Sequence, residues 1–151
     1  CIRDSPSANA SPPYKLNGGH VMTLLICVTI LFTLPFILAL SSLYYRIQLD
    51  GKADLHSPRV QAARLTGRGH RIVAAQHNAW EALILFCTAL TATHVAKVDI
   101  DVLTLPVVLF TLARIVHAIV YVVGWSLARS IVFFISMVSL IWIFRIAYGA
   151  L

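Results

Sequence analysis

Polar and charged side chains interrupt two strongly apolar stretches of this chain at helical spacing. In the first stretch they fall at positions i, i+7 and i+10, and in the second at i, i+3 and i+7. The six residues are Arg71, Asn78, Glu81, Arg114, His117 and Tyr121. With 3.6 residues per turn, each set lies close to one face of an α-helix. Because a charged side chain near the centre of a bilayer costs at least about 2.5 kcal/mol, such residues usually face the protein interior and serve a function.

Together the two sets predict a binding site for a small anionic ligand. At a rise of about 1.5 Å per residue, antiparallel neighbouring helices would bring Glu81 and Arg114 to the same depth, where they could form a buried ion pair. Further cations, Arg71 and Arg129, lie toward one end of the predicted helices. Arginine forks bind carboxylates through two hydrogen bonds, and a glutamate can accept an ammonium. The pattern is therefore typical of a site for a ligand with carboxylates and one ammonium group.

Purely structural roles are also open for the same residues. A Glu81–Arg114 pair could serve only to specify the packing of the bundle, and Asn78 could make only an interhelical hydrogen bond. Arg71 and Arg129 lie near predicted helix ends, where their side chains could extend to lipid headgroups. His117 could be a core histidine with a purely structural role. Tyr121 could be an ordinary aromatic residue of the membrane interface. A shared site is favoured because all of these residues converge on one end of the predicted bundle.

The elements that position these residues are predicted to cross a membrane. Hydrophobic residues make up 59% of the 151-residue chain and charged residues only 12%. About 20 apolar residues span the 30 Å hydrocarbon core. The sequence predicts an all-α membrane protein with an antiparallel bundle of four transmembrane helices, joined by short connectors. The predicted spans are residues 23–45, 71–94, 102–125 and 127–148.

Charge distribution predicts how the bundle is oriented. Residues 1–21 are polar and are interpreted as a tag or disordered tail, which leaves residues 22–151 as a single four-helix transmembrane domain. Lys and Arg are concentrated in the loop at residues 46–71, so the positive-inside rule predicts that this loop and the adjacent site face the cytoplasm. The 12 basic residues against 6 acidic ones could also suit nucleic acid, but the apolar spans exclude that partner. The spacing of His and Cys predicts no metal site.

Three separate segments carry polar motifs, namely Arg71-x-x-x-Ala75-x-x-Asn78-x-x-Glu81, then Ala113-Arg114-x-x-His117-x-x-x-Tyr121, then Arg129-Ser130. In order and spacing these motifs resemble those of the MAPEG family, the membrane-associated proteins in eicosanoid and glutathione metabolism. The chain resembles this family over about residues 44–151. The resemblance implies a homotrimer of four-helix protomers, with glutathione bound between neighbouring protomers near the cytoplasmic side. The chain resembles a bacterial-type member of this family, which implies a multi-pass protein of the inner membrane.

The resemblance also implies roles for individual residues. Asn78 and Glu81 would bind the backbone of glutathione, with Glu81 receiving the γ-glutamyl ammonium. Arg129 would stabilise the glutathione thiolate as a catalytic residue, and Ser130 could donate a hydrogen bond to it. The other residues expected to line the cleft are Arg71, Arg114, His117 and Tyr121.

The activity that the resemblance implies is a glutathione-dependent transferase or peroxidase. Glutathione would be the co-substrate, and its partner would be a hydrophobic electrophile or lipid peroxide that arrives through the membrane lipids. Ala74 stands where catalytic branches of the family usually carry a second arginine. A non-enzymatic lipid-binding or scaffolding protein of the same fold therefore remains an alternative.

Overall fold

The computed structural model describes residues 18–151, and these residues form five α-helices. The helices are α1 (Gly18–Asp50), α2 (Pro58–Ala63), α3 (Gly67–Val95), α4 (Ile100–Val123) and α5 (Ser126–Gly149). Four of them are long, and α2 is a short helix in the basic loop between α1 and α3. Each predicted span coincides closely with one long helix. The prediction of an all-helical protein is confirmed for the part of the chain described.

Three of the long helices, α1, α4 and α5, are long and apolar enough to cross a membrane. Helix α3 has 29 residues, which at 1.5 Å per residue also exceeds the hydrocarbon thickness. It carries Arg71, Asn78 and Glu81, and these polar side chains lower its mean hydropathy. Its role as the fourth membrane span therefore stays a prediction.

Helix α1 begins at Gly18, so it overlaps the segment interpreted from sequence as a tail. Within this overlap, Nδ1 of His20 lies 2.7 Å from the hydroxyl oxygen of Thr104 on α4. This contact ties the first turn of α1 to the bundle. The rest of the predicted tail, residues 1–17, lies outside the described residues.

Small side chains bring α3 and α4 close together where the predicted site lies. Ala75 and Ala79 of α3 are buried with Ala118 of α4 and Leu38 of α1. Alanines at a helix interface permit close approach of the two backbones. On the side away from the basic loop, larger residues fill the core, including the stacked rings of Phe86 and Phe110 at 5.0 Å between centroids. The alanine contact therefore places Asn78 of α3 within reach of α4.

A tight turn at Gly124 connects α4 to α5. Gly124 has φ of 94°, a left-handed conformation that glycine adopts readily, and its N–H donates to the main-chain oxygen of Val120. The N–H of Trp125 donates to the same oxygen at 3.0 Å. Because the turn is short, the beginning of α5 packs against the end of α4. This geometry brings Arg129 next to Tyr121.

The buried side chain of Gln61 holds the basic loop in place. Its Oε1 accepts a hydrogen bond from the main-chain N–H of Asp54 at 3.0 Å. Its Nε2 lies within hydrogen-bonding distance of the main-chain oxygens of Lys52 (2.9 Å) and Arg46 (3.3 Å), and of Asp50 Oδ2 (3.0 Å). A single amide on α2 therefore organises the chain that leaves α1.

Candidate functional site

Arg114 lies in the interior of the bundle between α3 and α5, and only 2% of its surface is exposed. Its Nη2 donates to the main-chain oxygen of Asn78 at 3.0 Å and also to the side-chain Oδ1 of Asn78. Its Nη1 lies 3.5 Å from the hydroxyl oxygen of Ser136 on α5. The third guanidinium nitrogen, Nε, is buried and has no hydrogen-bond partner within residues 18–151. Arg114 therefore joins three helices and fixes the orientation of the Asn78 amide.

The predicted ion pair between Glu81 and Arg114 does not form. No basic nitrogen of the described residues lies within 4.0 Å of the Glu81 carboxylate, which instead accepts a hydrogen bond from Asn78 Nδ2 at 3.5 Å. The prediction considered depth along the helix axis but not rotation around it. Asn78 occupies the face of α3 toward Arg114, and Glu81, three residues later, is exposed on the surface of the bundle. Its carboxylate is therefore accessible from outside the protomer.

A second group of contacts forms where α4 meets α5. His117 is buried, and its ring lies 5.6 Å from the ring of Tyr121 at an interplanar angle of 68°. The guanidinium carbon of Arg129 lies 4.7 Å from the centroid of the Tyr121 ring. This distance is within the range of a cation–π interaction. The three predicted site residues therefore form one continuous cluster.

Arg71 and Ser130 bond to main-chain oxygens. Arg71 is half-buried, and its Nε donates to the main-chain oxygen of Val122 at 3.0 Å, which links the beginning of α3 to the end of α4. Ser130 is exposed, and its hydroxyl donates to the main-chain oxygen of Ser126 at 3.1 Å. The contact with Val122 places Arg71 at the same end of the bundle as Tyr121. The side chain of Ser130 lies at the surface of α5.

The structure also reveals a polar pocket that the sequence does not predict. It has a volume of about 410 Å³ and lies between α1, α2 and α3. Its polar lining residues include Arg46, Arg59, Gln76 and His77. From sequence, the two arginines are expected only to set the orientation in the membrane. The signal that could have found the pocket is the run Gln76-His77-Asn78, which puts polar side chains on several faces of α3 at the depth of the predicted site.

An apolar cavity of about 800 Å³ lies on another face of the bundle. It is formed mainly by α3 and the end of α5, and Trp80, Cys87 and Tyr148 are among its lining residues. Such a cavity could hold a hydrophobic molecule.

A family model described as the MAPEG family matches residues 23–149. The chain belongs to the MAPEG family. The chain has no significant match among curated proteins or solved structures. As a MAPEG member with three helices apolar enough to cross a bilayer, the chain is an integral membrane protein built as a helical bundle. The matched region contains every residue of the contact groups described above.

Proposed function

We propose that this MAPEG protein is a glutathione-dependent transferase or peroxidase that acts on hydrophobic electrophiles or lipid peroxides in the membrane. The observation that carries the proposal is the exposed carboxylate of Glu81, held beside an Asn78 amide that buried Arg114 orients. Halfway along a helix that packs among apolar helices, such a carboxylate is stabilised by a cationic partner. The γ-glutamyl ammonium of glutathione is a suitable cation. Glu81 is also the only glutamate in the chain.

The arrangement of cations supports a role in activating the glutathione thiol. Arg129 lies over the ring of Tyr121 at the same end of the bundle as Arg71. A cation near a thiol lowers the thiol pKa and so increases the population of the nucleophilic thiolate. In this proposal Arg129 stabilises the thiolate, and Ser130 turns its hydroxyl from Ser126 to the sulfur. Arg71 and Tyr121 line the same cleft, and buried His117 packs against the ring of Tyr121 behind it.

The proposal includes a homotrimer with the glutathione site between neighbouring protomers. The carboxylate of Glu81 is exposed on a single chain, so a neighbouring copy would be needed to shield it from lipid. The basic residues of the loop next to the site favour a cytoplasmic location for it by the positive-inside rule. The proposed location is the bacterial inner membrane.

Thermal unfolding of the detergent-solubilised protein across a glutathione titration tests the proposal. A ligand that binds only the folded state adds about 2.7 kcal/mol of stability at 100 times its Kd. We expect a saturable rise in Tm with glutathione, and no rise with an analogue that lacks the γ-glutamyl ammonium. Glu81→Gln should also abolish the rise, whereas the control Asp99→Asn, at the opposite end of the bundle, should retain it. No shift at millimolar glutathione would contradict glutathione binding, and an unchanged shift in Glu81→Gln would contradict the role of Glu81.

The apolar cavity of about 800 Å³ favours one alternative, a non-enzymatic lipid-binding or scaffolding protein. In that case the polar residues would mainly hold the oligomer together. Glu81→Gln would then dissociate the oligomer in detergent, as measured by light scattering after size exclusion, and the wild type would show no glutathione-dependent turnover. An active wild type and an intact but inactive Glu81→Gln oligomer would contradict this alternative.

A further inference from the structure

A separate cavity of about 430 Å³ lies at the end of the bundle opposite the polar contact groups. Its walls come from the beginnings of α1 and α4 and from the end of α3. Its apolar lining includes Leu24, Leu90, Val98 and Leu103, and its polar lining consists of Thr93, His94 and Lys97. The volume falls within the range of about 300–1,000 Å³ that is typical of small-molecule sites.

Lys97 at the rim of this cavity has an unusual backbone conformation. Its φ is +54°. Among residues 18–151, no other residue except glycine has a positive φ. It ends α3 in a Schellman motif, in which the N–H of Val98 donates to Thr93 O at 3.0 Å and the N–H of Lys97 donates to His94 O at 3.1 Å. Glycine usually occupies this position because a side chain there is strained. Lys97 therefore holds a backbone conformation that costs free energy, at the point where its side chain lines the cavity.

The charges around the cavity favour an anionic ligand. Lys97 and His94 lie at the rim, while the nearest acidic residues in sequence, Asp99 and Asp101, do not line it. Asp101 lies instead 4.0 Å from Nε2 of His20 on α1. The cavity therefore combines an apolar interior with a basic rim. Because the cavity lies at helix ends, this rim is at the depth of the lipid headgroups.

We propose that this cavity binds an anionic phospholipid, with one acyl chain against the leucines and the headgroup phosphate at Lys97 and His94. The apolar walls match the acyl chain, and the lysine ammonium and imidazole match the phosphate as hydrogen-bond donors. The site is separate from the proposed glutathione site and does not depend on it.

Native mass spectrometry of the protein in detergent, with added phosphatidylglycerol or phosphatidylcholine, tests this proposal. We expect the wild type to retain phosphatidylglycerol with several-fold higher occupancy than phosphatidylcholine. Lys97→Gln should remove this preference. Lys52→Gln is the matched control, since Lys52 is an exposed lysine in the loop at the other end of the bundle and its replacement changes the net charge equally.

Lys97→Gly separates the effect of the lysine side chain on lipid binding from its effect on stability. Glycine relieves the strain at positive φ, so the Tm of the lipid-free protein should stay the same or rise while the phosphatidylglycerol preference is lost. Leu90→Trp, which fills the cavity, should reduce retention of both lipids. Equal retention of the two lipids by the wild type would overturn the proposal. An equal loss in Lys52→Gln and Lys97→Gln would also overturn it, because the preference would then reflect net charge only.

Discussion

The guanidinium of Arg114 holds Asn78 by its main-chain oxygen and by its side-chain oxygen at once. Because the amide oxygen faces inward, the amide nitrogen of Asn78 is directed to the carboxylate of Glu81. Arg114 itself is almost completely buried. In the proposed site, Arg114 would therefore act on the ligand through its orientation of Asn78. The expectation from sequence was that Arg114 would line the cleft directly.

Arg114→Met should raise KM for glutathione about tenfold or more and change kcat much less. The substitution leaves the side-chain oxygen of Asn78 without its arginine donor, and an unsatisfied polar group inside the protein costs about 1–3 kcal/mol. Steady-state kinetics and Tm in detergent measure the two effects. Arg145→Met, which removes an exposed arginine from α5, is the control and should leave KM unchanged. An unchanged KM in Arg114→Met would refute the positioning role.

Arg129→Leu should abolish turnover while the oligomer stays intact. The aliphatic side chain can no longer stabilise a thiolate, and an arginine that lies over the Tyr121 ring contributes little to the core. Arg129→Lys keeps the charge and should retain part of the activity. Conjugation assays and size-exclusion chromatography check both variants. Wild-type rates in Arg129→Leu would exclude the assigned role.

Tyr121→Phe should preserve most of the activity, and Tyr121→Leu should not. The aromatic ring lies beneath Arg129, and a cation–π interaction contributes about 0.5–2 kcal/mol. Phenylalanine keeps this interaction and leucine removes it, so we expect a several-fold lower rate at saturating glutathione for the leucine variant. If both variants lose activity equally, the hydroxyl of Tyr121 matters and the ring contact with Arg129 does not.

Gly124→Ala should lower the stability of the protein and displace Arg71. Gly124 has φ of 94°, and a Cβ there would lie 3.3 Å from Arg71 Nε. A left-handed conformation costs a residue with a side chain about 1–2 kcal/mol. Gly149→Ala is the control, because a Cβ at that position meets no atom within 4 Å. Equal Tm values for the two variants would contradict the prediction.

Gln61→Leu should loosen the loop between α1 and α2. Leucine has a similar volume but cannot replace the amide hydrogen bonds to Asp54, Asp50 and Lys52. Each buried group left unsatisfied costs about 1–3 kcal/mol. Hydrogen exchange should become faster in residues 51–57, and Gln48→Leu, on the exposed end of α1, should show no such change. Unchanged exchange in Gln61→Leu would mean that the loop is held by other contacts.

The positions of the long helices were predictable from sequence because apolar runs of sufficient length have few other stable structures in a bilayer. The spacing of Arg71, Asn78 and Glu81 likewise predicted a polar side of α3. The order and spacing of the polar motifs also pointed correctly to the family. These properties depend on residues that are close in sequence.

The contacts within the site were decided only by the tertiary structure. Equal depth of Glu81 and Arg114 along the helix axes predicted an ion pair, but the rotation of α3 set by the Ala75 and Ala79 contacts turned Asn78 toward Arg114 instead. Rotation about a helix axis depends on how neighbouring helices pack, and helical spacing contains no information about it. The position of Lys97 at the rim of the cavity between α1, α3 and α4 was unpredictable for a related reason. The backbone conformation of Lys97 depends on how α3 ends, and no single residue of the sequence determines it.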